Sequence, residues 1–223
     1  MPRFQRGFDV DAADAHLARD RSLGAWMRRV GPIAADPRWR KPFDPVDALA
    51  RAILFQQLSG KAAGTIVGRV ETAIGDTRLH ADTLGRCDDP TLRACGVSGN
   101  KLLALRDLSL REARGDIPTL RQMATMDDDA IIAALVPVRG IGRWTVEMML
   151  MFRLGRADVL PVDDLGVRKG LQLVRRLDAM PTPKELATLG ARWAPYRSQA
   201  GFYLWRIADF ATVQATPVKR SQT

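Results

Sequence analysis

Two short segments hold the residues best placed to do chemistry. The first, Val136-Pro137-Val138-Arg139-Gly140-Ile141-Gly142, brackets one apolar residue between two glycines. Glycine permits positive φ and close backbone approach, so Ile141 can tuck between two flanking helices and set their angle. A helix starting at Arg143 then points its first N–H groups outward, an arrangement that suits an anion such as a DNA phosphate. Backbone donors of this kind fix position and read no base sequence. A Gly-x-Gly alone is equally an ordinary tight helix–helix turn. The second segment is Leu160-Pro161-Val162-Asp163-Asp164, where Pro161 ends one element and a helix begins at Asp163 or Asp164. Aspartate is a favoured N-cap and needs no other role there. The positive end of a helix also favours an ionised carboxylate, which can stabilise a sugar cation or activate a water. One aspartate can do both.

The elements that must position these segments read as helices almost throughout. Period-two alternation is scarce, while steps of three and four between apolar residues recur. Asp47 to Ser59 carries Leu49, Ala52, Ile53 and Leu54 on one stripe, and Ala63, Ile66, Val67, Val70 and Ile74 repeat the spacing after Gly60. Leu102 to Leu110 follows the same rule, and Asp127-Asp128-Asp129 precedes Ile131 to Leu135 as acidic residues precede a helix. Arg143 to Leu154 is apolar nearly all round and is expected as one buried central helix. Asp164 to Leu177, Lys184 to Trp193 and Ser198 to Ala211 complete the series. Proline and glycine punctuate between them. The expectation is an all-α chain of two lobes: residues 46–151 forming one, and 1–45 together with 152–223 forming the other.

Composition narrows the partners. The chain has 223 residues, with 34 basic and 25 acidic side chains and a formal charge of +9. That excess favours a polyanion, although the bias toward arginine can also reflect the genome's base composition. No apolar run is long enough to cross a bilayer, and no apolar region follows the N-terminal residues. Lys219-Arg220 reads as a frayed terminus. Cys87 and Cys95 are too few for a disulfide framework or a four-thiolate cluster, so they are expected as small buried hydrophobes. His16 and His80 show no metal or triad pattern.

With these residues in hand, the sequence resembles the helix–hairpin–helix, Gly/Pro-rich, Asp superfamily of DNA glycosylases. Gly140-Ile141-Gly142 with Pro161-Val162-Asp163 carries the likeness, and Arg51 to Ser59 resembles the early helix and wedge loop of its alkylbase (3-methyladenine type II) branch. Gly96-Val97-Ser98 with Lys101 is similar to that branch's middle turn, and Arg192 to Ser198 followed by Trp205 to its C-terminal signature. The likeness spans roughly Val46 to Phe210. It implies two helical lobes with a DNA-binding cleft between them, in a minimal form without an N-terminal sheet domain. It implies Asp163 as the catalytic carboxylate, with Asp164 matching no catalytic position. It implies Gln56, Gln57 and Leu58 as the wedge, with Gln57 or Leu58 inserting. Trp205 is implied as the stacking residue of the base pocket, joined by Trp144, Met148 and Tyr203. DNA phosphate would meet Gly140, Gly142, Arg143, Thr145 and Lys169. A Na+ or K+ ion would bind the main-chain carbonyls of Val136, Val138 and Ile141, with no other cofactor required.

Two departures narrow the chemistry. Strand-cutting members carry a lysine where this sequence has Trp144, so no amine stands there for a Schiff base. The cysteine count excludes the iron–sulfur loop of other branches. An alkylated purine is cationic and already a good leaving group, so electron-rich aromatic walls suit it better than a strong general acid. The expectation is therefore a monofunctional glycosylase that flips alkylated purines from duplex DNA and hydrolyses their N-glycosidic bond, acting as a monomer in the cytoplasm. The alternative is a non-catalytic damage-binding protein, which has no need of Asp163 and Trp205 together. Hypoxanthine and ethenoadenine stay open as further lesions.

Overall fold

The computed structural model describes residues 7–215; the N-terminal residues and Lys219-Arg220 lie outside them. The described residues are helical, without a strand. They divide into two compact units, 41–146 and the combination of the described residues up to 40 with those from 147 on. The divisions fall five residues before each boundary expected from the sequence.

The 41–146 unit holds α3 (Pro45–Phe55), α4 (Gly60–Ile74), α5 (Ala81–Leu84), α6 (Asp89–Ala94), α7 (Gly99–Arg114), α8 (Leu120–Met123) and α9 (Asp128–Leu135). α10 (Arg143–Met149) begins in it. α3, α4, α6, α7 and α9 each start on a side-chain cap. Asp44, Ser59, Asp88, Ser98 and Asp127 each accept a backbone N–H from the first turn that follows. α7 is the spine: it packs on α3, α5 and α6, and its Leu102, Leu105 and Leu108 are buried. His80, buried before α5, places Nδ1 2.5 Å from Glu112 on α7. Cys87 and Cys95 are buried and free, with their sulfurs toward the Ala73 and Arg69 carbonyls of α4.

The other unit holds α1 (Val10–Leu17), α2 (Arg21–Val30), α11 (Leu165–Arg175), α12 (Pro183–Gly190) and α13 (Arg197–Ala215). Its core joins Leu17, Leu23, Val167, Leu171, Trp193, Leu204 and Ile207. Full burial of each Leu or Ile here contributes about 1.5–3 kcal/mol. α11 and α13 are the closest pair, and glycine makes that possible. A Cβ at Gly170 would lie 2.2 Å from the Leu204 carbonyl oxygen, and one at Gly166 would lie 2.7 Å from the Trp205 ring.

Two expected helices are shorter than their apolar patterns. Asp47 to Ser59 ends at Phe55, because Gln56 turns to an extended conformation and Gln57 takes a φ of +56°. Arg143 to Leu154 is α-helical only to Met149 and continues as a π-helix over Leu150–Leu154. That register is rare and recurs at functional positions. α1 and α2, which the apolar pattern did not single out, are capped by Asp9 and Asp20.

Candidate active site and nucleic-acid interface

In the 41–146 unit the hairpin between α9 and α10 forms as its sequence predicts. Val138 N–H donates to the Leu135 carbonyl and Ile141 N–H to the Val138 carbonyl, both at 3.0 Å. Ile141 is buried at the inside of the turn. Gly140 has φ +80°, and a Cβ there would stand 3.3 Å from the Ala104 Cβ. A non-glycine residue is strained in this conformation. The N–H groups of Gly140 and Gly142 donate to no backbone carbonyl of the described residues, so they remain available to an anion. Arg143 is exposed and pairs with Asp129 at 3.6 Å. The Thr145 N–H donates to the Gly142 carbonyl at 3.0 Å, which leaves its hydroxyl as the group able to meet a phosphate.

The three carbonyls expected to hold a monovalent cation differ. The Val138 oxygen accepts the Ile141 N–H and keeps one lone pair, while the Val136 and Ile141 oxygens accept no backbone N–H of the described residues. Oxygen donors of this kind fit Na+ or K+.

The Gln56-Gln57-Leu58 loop is held from two sides. Gln56 Nε2 donates to the Gly140 carbonyl at 2.7 Å, tying the loop to the hairpin. Lys101 Nζ donates to the Leu54 carbonyl at 2.8 Å, placing a cation at the C-terminal end of α3. Burial pushes the Lys101 ammonium below its ordinary pKa. Gln57, Leu58 and the neighbouring Phe55 are exposed, the latter two to 40% and 42%. An exposed apolar tip on a strained backbone is a feature the unit maintains at a cost. Trp144 is 47% exposed, so it is not the core residue its apolar neighbourhood allowed.

In the second unit the two adjacent aspartates part company. The Asp164 N–H closes a turn onto the Pro161 carbonyl at 3.1 Å, and Asp163 sits in that turn. Asp163 is exposed, and its carboxylate has no hydrogen-bond or ion-pair partner among the described residues. It is therefore not the oriented carboxylate at a helix start that the sequence reading required. Asp164 takes that place. Its Oδ1 accepts the Val167 N–H at 2.9 Å as the N-cap of α11, and the Trp205 Nε1–H at 2.7 Å. Two donors on one oxygen fix the carboxylate in orientation.

Trp205 in turn stacks on Phe152 (5.7 Å between centroids, 19° between planes) and lies 6.0 Å from Phe202. The Arg38 guanidinium rests 4.5 Å over the Phe152 ring, oriented by Asp36. The sequence reading missed Phe152 and Phe202. Phe202 and Trp205 are three apart on one helix, a spacing that would have revealed them as neighbours. Phe152 was absorbed into the apolar run from Met148, where core packing explained it equally well. Met148 is half-buried.

Tyr203 is a correction. It was expected in the base pocket beside Trp205, but two residues on a helix are about 200° apart. It is 1% exposed and donates its hydroxyl to Asp14 Oδ2 at 2.8 Å. Burial, then Asp14, pushes its pKa up to about 12, so it is a neutral core donor. Lys169 is exposed on α11, with Nζ on Gln172 at 2.9 Å.

Comparison with known proteins follows this geometry. The family model described as HhH-GPD superfamily base excision DNA repair protein matches residues 50–195. The chain is 35% identical over 201 residues to DNA-3-methyladenine glycosylase 1 of Schizosaccharomyces pombe, covering 89% of this chain and 88% of that one. Among solved structures it is similar to S. pombe 3-methyladenine DNA glycosylase (Mag1) in complex with abasic DNA. There the TM-score is 0.76 at 33% identity, over 87% of this chain and 95% of that one. A DNA-3-methyladenine glycosidase from Bacillus halodurans gives a TM-score of 0.81 at 34% identity, over 92% and 94%.

Proposed function

Because the chain belongs to the HhH-GPD superfamily of base excision DNA repair proteins, we propose that it is a monofunctional DNA glycosylase that removes alkylated purines from duplex DNA. The observation that carries this reading is the Asp164 carboxylate, locked between the start of α11 and the Trp205 indole, which itself stacks on Phe152. A fixed negative charge beside an electron-rich aromatic surface suits a cationic base on a sugar that becomes cationic as its bond breaks. The C1′–N bond breaks with its electron pair going to the alkylated base, which leaves neutral. Asp164 stabilises the oxocarbenium-like sugar, water adds to C1′, and the water's proton leaves to the carboxylate or solvent. This reading moves the catalytic role from Asp163 to its neighbour, because only Asp164 is oriented.

The 41–146 unit supplies the grip. Gly140 and Gly142 present N–H groups to a phosphate, with Arg143 and the Thr145 hydroxyl as further contacts, and Lys169 on α11 offers its own unit a separate cation for the DNA backbone. Na+ or K+ held by the Val136, Val138 and Ile141 carbonyls would add positive charge beside that phosphate. The exposed Gln57-Leu58 tip fills the gap left by the flipped base. Trp144 stands where a lyase would need its amine, so the product is an unnicked abasic site. A monomer suffices for all these steps.

The test is release of 3-methyladenine and 7-methylguanine from methylated DNA. Wild type releases base and leaves the strand intact, while Asp164→Asn binds the same DNA and releases base about 10²–10³-fold more slowly. Wild-type protein that binds damaged DNA without releasing any base would instead establish a damage-binding protein.

A further inference from the structure

Helix α7 carries Lys101, Ala104 and Asp107 three residues apart, and so along one face. Each touches a different part of the proposed DNA-reading apparatus. Lys101 holds the Leu54 carbonyl, in the last turn before the Gln56–Leu58 loop, at 2.8 Å. Ala104 lies under the hairpin, where a Cβ on Gly140 would stand 3.3 Å from its own. Asp107 Oδ2 accepts the Arg139 N–H of the hairpin at 2.8 Å and is backed by Arg111 at 2.9 Å. The loop and the hairpin are also joined directly, by Gln56 on the Gly140 carbonyl. Both segments are irregular and lack a ladder of their own. Their reference is therefore a rigid helix, on which the step from Lys101 to Asp107 spans about 9 Å.

We propose that the Lys101–Ala104–Asp107 stripe of α7 is a gauge that sets the distance between the phosphate-gripping hairpin and the gap-filling loop. Lys101 and Asp107 are its positioning residues. The inference rests on the glycosylase reading and adds the residues that govern extrusion. A grip and a wedge act on the same nucleotide only if their separation matches the DNA repeat, and a misplacement of about 1 Å can cost a hundredfold in rate. When the base is already unstacked, the wedge has nothing to do and the gauge ceases to matter.

That asymmetry separates a gauge from a merely stabilising contact. Single-turnover release of 7-methylguanine is measured for wild type, Lys101→Met, Asp107→Asn and Ala104→Leu. The lesion is placed in a fully paired duplex and in a single strand, and 2-aminopurine fluorescence beside it reports extrusion. The variants lose about tenfold in the paired duplex and less than about twofold in the single strand, with extrusion reduced in parallel. Lys101→Arg keeps a cationic donor and restores release in the duplex. Gln56→Ala, which leaves α7 untouched, shows the same split and serves if the α7 variants unfold. Equal losses in both contexts, or unchanged release in the duplex, overturn the gauge. Wild-type protein that releases no base in either context overturns the glycosylase reading instead.

Discussion

The two units hold their working groups in opposite ways. In residues 41–146 the groups offered outward are main-chain N–H donors and a bent loop, and side chains are spent on fixing that backbone: Gln56 on Gly140, Lys101 on Leu54, Asp107 on Arg139. In the unit built from 1–40 and 147–223 the working groups are side chains fixed by other side chains: Trp205 on Asp164, Phe152 on Trp205, Arg38 on Phe152. A site of the first kind depends on conformation and tolerates exchange wherever φ and ψ survive. A site of the second kind depends on the functional group, and the loss of one charge can end it without moving an atom.

The sharpest way to break that contrast is to remove one charge at each aspartate. Asp164→Asn keeps the cap, since asparagine caps as well as aspartate, yet base release falls by about 10²–10³-fold, or roughly 3–4 kcal/mol of barrier. Asp163→Asn changes release by less than about threefold, because a solvated charge with no partner contributes little. Single-turnover assays at saturating enzyme decide between them, and loss confined to the Asp163 variant reverses the assignment.

Next comes backbone proximity in the side-chain unit. Gly170→Ala drives a methyl into the Leu204 carbonyl, and thermal or urea melts report a loss of about 2–3 kcal/mol. In the backbone unit, Gly140→Ala imposes positive φ on an alanine, worth about 1–2 kcal/mol, and weakens DNA affinity about tenfold at fixed salt. Release from fully bound DNA then changes little, which marks the hairpin as grip rather than chemistry. A Gly140 variant with normal affinity but slow release would blur the two kinds of site.

The smallest effect belongs to Tyr203. Tyr203→Phe costs about 1 kcal/mol of stability at neutral pH by taking the donor from Asp14 Oδ2, while Gln199 still holds Oδ1, with lesion preference unchanged. The folded pKa, about 12, lies above the ordinary value of 10.0, so the neutral hydroxyl is the form the fold prefers. Its contribution is full below pH 10 and is lost as pH rises through 12. Denaturation curves at pH 8 and pH 11.5 should show the gap between wild type and variant narrowing.

The fold was legible where a single periodicity governs. The stripes on α4 and α7 and the cap before α9 locate those helices because burial of one face is what forms them. The hairpin was legible because its two glycines and isoleucine stand between an apolar helix and the helix start at Arg143-Trp144-Thr145. Legibility ended where local pattern and long-range contact disagree. The apolar spacing through Phe55 to Ser59 continues a helix, yet Lys101 takes the Leu54 carbonyl at its end and Gln56 reaches away to the Gly140 carbonyl of the hairpin. The choice between Asp163 and Asp164 turns on an indole 41 residues away in the chain, which spacing alone does not expose. Tyr203 shows the converse: nearness to Trp205 in sequence places it on the opposite side of the same helix.

The hydrogen bonds around Asp164 ask only for an acceptor, whereas the proposed reaction asks for a full negative charge. Shelter and reactivity therefore rest on different properties of one side chain. Swapping a single oxygen for an amide nitrogen separates them, so a correctly folded but inert form of this protein lies one substitution away. Under the proposed function, such a form would stay bound at the lesion instead of clearing it.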